Sequence, residues 1–308
     1  MDAETALAAA RKCDFYLGHS DFVAKTEWKS GVTGSGAEDI LVDLKGDPVV
    51  CCVVGTLQPE DFFLSPHCGF DPGRIPAWQV SKGPLRAFTE SKGSALIGAV
   101  PSLMDEFKEY TKNLETLFSA IMPYTDQSGM IVKRGDRRFF KVTHQMFSLR
   151  EGISAEDIPP NLVESGTDSG DHHVYDSEII PAFRMANWPV PESCVRLRNA
   201  MVKTHCVNPI PAFMDGNSHP LIPSNYVGCL RGAIVQIAFT ISHKVLRRKI
   251  PISFFTATID EITILKVHTP ADLSPSKTRL STRFLLNPPE GEPPAEVNPG
   301  RVNKRRRT

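Results

Sequence analysis

Residues Leu230 to Ile241 constrain the fold most. Val235, Ile237, Phe239 and Ile241 share one parity, while Gln236 and Thr240 take the other. A period of two is the signature of a pleated strand with one face on a core. Ile252–Leu265 is a second long strand candidate, with a bulge expected near Asp260-Glu261, where acids interrupt its apolar pattern. The segment between them, His243-Lys-Val-Leu-Arg-Arg-Lys-Ile-Pro251, makes this pair a final long hairpin.

Other segments agree with a β-rich chain. Ile40–Leu44 and Val49–Val54 flank Lys45-Gly-Asp-Pro48, whose Gly and Asp supply turn chemistry, and read as a hairpin. Met130–Val142 reads as another, folded about Gly135-Asp136. Val195–Val202 is a strand candidate, and Gly216-Asn217 turns the chain into a short extended piece at Leu221-Ile222. The clearest helix runs from Ser102 to about Met122. Leu103, Phe107, Leu114, Leu117, Phe118 and Ile121 fall on one face, Ser102 is the candidate N-cap, and Pro101 and Pro123 flank it. A short Ala-rich helix is expected over residues 2–13, and an irregular Pro- and Gly-rich connection over 64–84.

The predicted fold class is therefore mainly β (α+β): an OB-like antiparallel Greek-key barrel with an inserted helix, or alternatively a β-sandwich. Residues 1–269 form a single β-rich domain in this reading. It carries an acidic loop near 151–178, where eight acidic side chains occur with no Lys or Arg. Residues 270–308, rich in Pro, are expected to be a disordered basic tail, because they offer too little apolar surface to offset the entropy of ordering. Apolar runs such as Ile234–Ile241 are far shorter than a membrane span. Seven scattered cysteines without a CxxC pair read as reduced thiols, and Met1-Asp-Ala-Glu4 lacks the apolar run of a secretory signal. Both point to a nuclear or, alternatively, cytoplasmic chain.

The 308 residues carry 35 basic and 35 acidic side chains, and this neutrality excludes a protein that coats DNA by bulk charge. The charge is nonetheless segregated. Residues 131–141, 243–250 and 301–308 together hold +13 in 27 positions. The first cluster is Lys133, Arg134, Arg137, Arg138 and Lys141, interleaved with Phe139 and Phe140. Cations of this kind neutralise phosphates, and an aromatic face such as that of Phe140 accepts a stacked base. The plain alternative is a solvated hairpin tip whose two Phe residues alternate into and out of the core. The second cluster, Lys244, Arg247, Arg248 and Lys249, lies in the connection between the two long strands. That is the last loop of an OB barrel, and such loops contact nucleic acid. The third, Lys304, Arg305, Arg306 and Arg307, fits a nuclear localisation signal.

Catalytic signatures are weak. His172, His173, Asp176, His205, Cys206 and His219 lack the spacing of a metal site. Gly34-Ser-Gly36 is not a GxSxG elbow, and Gly31–Gly36 has no Lys-Ser/Thr ending and reads as a flexible loop rather than a P-loop. His67 and Cys68 are adjacent, which rarely gives the geometry of a base and its nucleophile. The expectation is a non-catalytic protein with no cofactor and no metal.

Within residues 189–265, Asp215-Gly-Asn-Ser-His-Pro-Leu221 is followed by Tyr226-Val-Gly-Cys-Leu-Arg-Gly232, then by the alternating strand and the closing strand. This pattern resembles the C-terminal half of phage-type single-stranded-DNA-binding proteins of OB-fold. The "L-x-G-A-x-V-x-x-x-F" strand from Leu230 to Phe239 also resembles uncharacterised fungal proteins. The first resemblance implies an OB barrel that binds single-stranded nucleic acid, DNA in the family's case, for replication, repair or mobile-element work. Trp188, Tyr226, Phe239, Phe254 and Phe255 are candidates for its stacking aromatics. The competing expectation is a protein–protein interaction module that presents a sheet edge, an apolar patch or the acidic 151–178 segment.

Overall fold

A computed structural model describes residues 2–33, 36–121, 126–154, 178–246 and 250–268. The 270–308 tail and most of the acidic 151–178 segment lie outside the described residues. Ten strands join in one mixed sheet, and two more form a small separate ladder. Among the described residues, no helix is long and apolar enough to cross a membrane.

Five strands organise the rest: β3 (Val50–Leu57), β4 (Lys92–Gly98), β7 (Arg137–Gln145), β11 (Ile234–Leu246) and β12 (Ile252–Lys266). Strand β11 pairs antiparallel with β3, β3 with β4, and β4 with β7. Strand β7 then pairs parallel with β12, and β12 pairs antiparallel with β11, so the hydrogen-bonded path returns to its start. The side chains pointing inward are apolar on every member, among them Val53, Ile97, Val142, Ile237 and Ala257, all fully buried.

The expected final hairpin is the longest ladder, running from Ile234↔Lys266 to Leu246↔Ile252. Its register shifts where Ala238 faces Glu261 and Phe239 faces Ile259, so Asp260 is the extra residue of a bulge. The bulge changes which parity faces inward. Phe255, Ala257 and Ile259 are buried before it, and Ile262 and Ile264 after it. Without that insertion the apolar pattern of β12 would place half its core residues in solvent.

The predicted helix is α4 (Met104–Ile121), preceded by a 3₁₀ turn at Pro101–Leu103 rather than by a Ser102 cap. Its apolar stripe meets the inner faces of β7 and β12: Phe107 stacks on Phe140 at 4.6 Å and 15°, and Phe118 stacks on Phe255 at 3.8 Å and 11°. Helix α1 (Ala3–Ala10) forms as expected, with Asp2 capping its first turn through the Thr5 amide.

Several expectations are corrected. Val195–Met201 is helix α5, not a strand; Leu197 and Met201, four apart, are its buried residues, so helical spacing overrides the short apolar alternation. Tyr226–Leu230, ahead of the alternating strand, is likewise a helix, α6. Only a bridge at Val42↔Pro48 joins the two arms of the first predicted hairpin. Strand β2 (Gly36–Asp43) instead pairs with β1 (Thr26–Thr33) and crosses to β11 at Ile40 and Asp39. Gly31–Thr33 and Gly36 thereby belong to the ends of β1 and β2, and Gly34-Ser35 of the expected loop lie outside the described residues. The 64–84 connection contains a helical turn, α2 (Ala77–Val80), and leads into α3 (Gly83–Thr89). The sheet is mixed, because β12 receives β5 (Asp126–Ser128), β7 and β10 (Ala212–Met214) in parallel. Each of these strands reaches β12 through a long crossover rather than a hairpin, which permits the parallel sense.

Strand β1 is anchored through Trp28, whose indole N–H donates to the Leu117 carbonyl of α4 at 3.2 Å. Beside it, buried His243 on β11 pairs with Asp39 on β2 at 2.9 Å. Burial works against the Asp39 carboxylate, yet bonds from the Ser30 hydroxyl and the His243 ring bring it below its usual pKa.

Two glycines with positive φ test how tightly the sheet is closed. Gly129, at φ +104°, sits where an added Cβ would lie 2.2 Å from the Phe255 carbonyl, whereas Gly135, at φ +56°, faces open space. Gly135→Ala is expected to cost about 1 kcal/mol from backbone strain alone. Gly129→Ala should cost more than about 3 kcal/mol, because backbone must move as well. Urea denaturation of the two variants measures the difference.

Candidate functional site

The first basic segment folds as predicted, with β6 (Ile131–Arg134) antiparallel to β7 across the Gly135-Asp136 turn. Its register sets Lys133 opposite Arg138 and Arg134 opposite Arg137, like charges facing one another. Two of these cations are drawn aside by acids: Arg134 pairs with Asp61, and Arg138 with Glu115 on α4 at 2.6 Å. Lys133, Arg137 and Lys141 are exposed and pair with no acid among the described residues.

Phe140 does not serve as a stacking platform. It is fully buried against Phe107, so its ring is a core element, and its proposed role is corrected accordingly. Phe139 points the other way but is only 8% exposed.

Strand alternation sends Lys141 and Thr143 to the outer side of β7, opposite in sense to Phe140 and Val142. Ser94 on β4 lies directly across from Thr143, and Lys92 lies two residues further along β4. On the other flank, Lys244 near the end of β11 faces Phe254 on β12, with its ammonium 5.9 Å from the centre of that ring. These residues line one groove of about 540 Å³. Lys92, Lys141 and Lys244 give its walls three positive charges, Ser94, Ser128, Thr143 and Thr256 supply hydroxyls, and no acid among the described residues lines it. Phe254 is half-buried and is the aromatic available on this face, while Phe255 points inward onto Phe118.

One cation from each of the first two basic segments, Lys141 and Lys244, thus meets in the same groove. Arg247, Arg248 and Lys249 lie outside the described residues, as do Lys304, Arg305, Arg306 and Arg307. Lys92 was not singled out from the sequence. It is an isolated cation between Ser91 and Gly93, and only the β4–β7 register gives it a role.

His172, His173 and Asp176 are outside the described residues. His205 is buried beside the Thr204 hydroxyl at 2.8 Å, Cys206 lies 3.0 Å from the Ser148 hydroxyl, and His219 is exposed. Among the described residues, no group of three His, Cys, Asp or Glu side chains is arranged to hold a metal ion. Burial pushes the Cys68 thiol up to about 12, away from the thiolate, and lowers the neighbouring His67 below its usual value.

Comparison with protein-family models, curated proteins and solved structures finds no match to this chain.

The opposite orientations of the adjacent rings have a direct consequence. Phe254→Ala should change stability by less than about 1.5 kcal/mol, as a half-buried surface position. Phe255→Ala should cost about 3–5 kcal/mol, as a stacked core ring. Chemical denaturation of the two single variants checks the assignment.

Proposed function

We propose that this protein binds single-stranded nucleic acid, DNA in particular, through the groove between Lys92, Lys141, Lys244 and Phe254, without catalysis. The observation that carries the reading is the convergence of lysines from β4, β7 and β11 on one groove that no acid among the described residues lines and that also holds an available aromatic. Phosphates are neutralised by the lysines, a base lies on Phe254, and the groove hydroxyls donate to phosphate or base edges. The role assigned to Phe140 passes to Phe254.

The closed path of pairings supports an OB-like Greek-key barrel. Taken in chain order, β3, β4, β7, β11 and β12 are its five strands, and β11 returns to lie beside β3, giving the spatial order of a Greek key. A β-sandwich would instead divide them between two sheets. In OB barrels, ligands bind across the second and third strands and at the loop joining the fourth and fifth. Here those strands are β4 and β7, which carry Lys92 and Lys141, and Lys244 stands at the mouth of the 247–251 connection. A site on this face fits the resemblance to phage-type single-strand binders. The basic cluster Lys304–Arg307 fits a nuclear location.

Fluorescence anisotropy with a labelled deoxythymidine oligonucleotide tests the reading. Three neutralised phosphates predict a log–log salt slope of about −2, from about 0.7 per contact on single strands. Lys141→Glu with Lys244→Glu replaces two attractions by repulsions of about 1 kcal/mol each, so affinity should fall at least about tenfold. Salt-independent binding, or a double variant that binds like the native protein, would overturn the proposal.

A further inference from the structure

Cys13 follows helix α1 and Cys52 lies within β3, yet their thiols meet as side-chain hydrogen-bond partners. Backbone pairing explains the encounter. The Cys52 amide donates to the Phe15 carbonyl at 3.1 Å, and the Leu17 amide donates to the Cys52 carbonyl at 3.0 Å. These two bonds place Tyr16 beside Cys52 in a parallel bridge. The Tyr16 amide in turn donates to the Cys13 carbonyl at 3.1 Å, so a tight turn folds Cys13 back toward the same strand.

The turn is held in place by α4. Tyr16 and Leu17 are buried, and the Tyr16 hydroxyl lies 2.6 Å from that of Tyr110 on the helix. Arg11, just before the turn, pairs with Glu106, also on α4. Two sulfurs brought together by such a frame need little backbone movement to bond, whereas cysteines whose side chains diverge cannot. The adjacent Cys51 is a case of the second kind, because strand alternation sends its side chain to the other face of β3.

The two thiols differ in access. Among the seven cysteines Cys13 is the exposed one, while Cys52 is 5% exposed. Burial, and then the neighbouring Cys13, push the Cys52 thiol up to about 12, so it stays protonated at neutral pH. The Gln236 side-chain amide opposes this by donating to the Cys52 sulfur at 3.5 Å. That bond stabilises the negative charge that develops on the sulfur as its proton leaves. An exposed thiol that meets an oxidant, with a sheltered one in contact behind it, makes the two halves of a reversible redox site.

We infer that Cys13 and Cys52 form a peroxide-sensitive modification site that closes to an intramolecular disulfide. The Cys13 thiolate attacks one peroxide oxygen and the O–O bond breaks. The hydroxide released takes up the proton that Cys13 gave up and departs as water, leaving a sulfenic acid on Cys13. The Cys52 sulfur then attacks the Cys13 sulfur, the S–O bond breaks, and the hydroxyl leaves with the Cys52 proton as a second water. Two thiols have lost two electrons, and hydrogen peroxide has been reduced to water. The new bond ties the end of α1 to β3. No residue of the lysine groove takes part, so the site stands apart from nucleic-acid binding.

The test uses the full-length protein, reduced, freed of reductant and treated with an equimolar amount of hydrogen peroxide. Remaining thiols are capped with N-ethylmaleimide, and the chain is digested without reductant and mapped by tandem mass spectrometry. Peptides linked through Cys13 and Cys52 are expected as the main disulfide product, and dithiothreitol should release them. Cys13→Ser, at an exposed position that leaves the fold intact, should abolish the link, and Cys206→Ser should leave it unchanged. Cys52→Ser should strand Cys13 as a sulfenic acid that dimedone traps. Oxidation in urea should lower the share of this pairing at least about fivefold, because the fold and not the chain selects the partner. Failure of Cys13 to react, its linkage chiefly to another cysteine or to a second chain, or equal pairing in urea would overturn the inference.

Discussion

The ladder between β11 and β12, with its single-residue bulge at Asp260, is the constraint on which the other parts depend. It is the longest pairing in the molecule, and both members pair with further strands on their free edges. The bulge lets two apolar stretches of opposite parity face the same interior. Because β11 is fixed, β3 and β2 find their registers along its other edge. Because β12 is fixed, the parallel strand β7 closes the path. Helix α4 then covers Phe140 and Phe255, the aromatic rings this closure leaves inside.

The lysine groove is a by-product of the same alternation. Core residues on β7, β11 and β12 alternate with neighbours pointing outward, among them Lys141, Thr143, Lys244, Phe254 and Thr256. A rigid ladder of strands sets the spacing of these groups, so a ligand would meet a preformed surface and lose little free energy to ordering it. The hairpin tip behaves differently. Arg134 and Arg138 relieve their like-charge neighbours by bonding to Asp61 and Glu115, which turns two candidate phosphate contacts into structural ties.

The long alternating strands, the bulge, the amphipathic helix α4 and the β6–β7 hairpin were all readable in the sequence, because each is set by side-chain period and local turn chemistry. Elements with weak local signals were not. Strand β4 contains two glycines and a single β-branched residue, Ile97, and becomes a strand because β3 and β7 supply its partners. Val195–Met201 has a strand-like apolar beginning, yet folds as a helix because Leu197 and Met201 must both reach the core.

The sequence by itself determined that this chain builds a β-rich core on which the amphipathic helix α4 packs, and that its neutral charge is divided into basic and acidic segments. Only the tertiary structure decided which charges meet. Phe139-Phe140 and Phe254-Phe255 are equivalent in a linear reading, since any strand sends adjacent side chains to opposite faces. The choice of Phe140 and Phe255 for the interior was made by the partner strands and by the rings of α4. The same long-range registers brought Lys92, Lys141 and Lys244, spread over more than 150 residues of chain, to a single groove. Pairing across such distances depends on which strands become neighbours, and no local period encodes that.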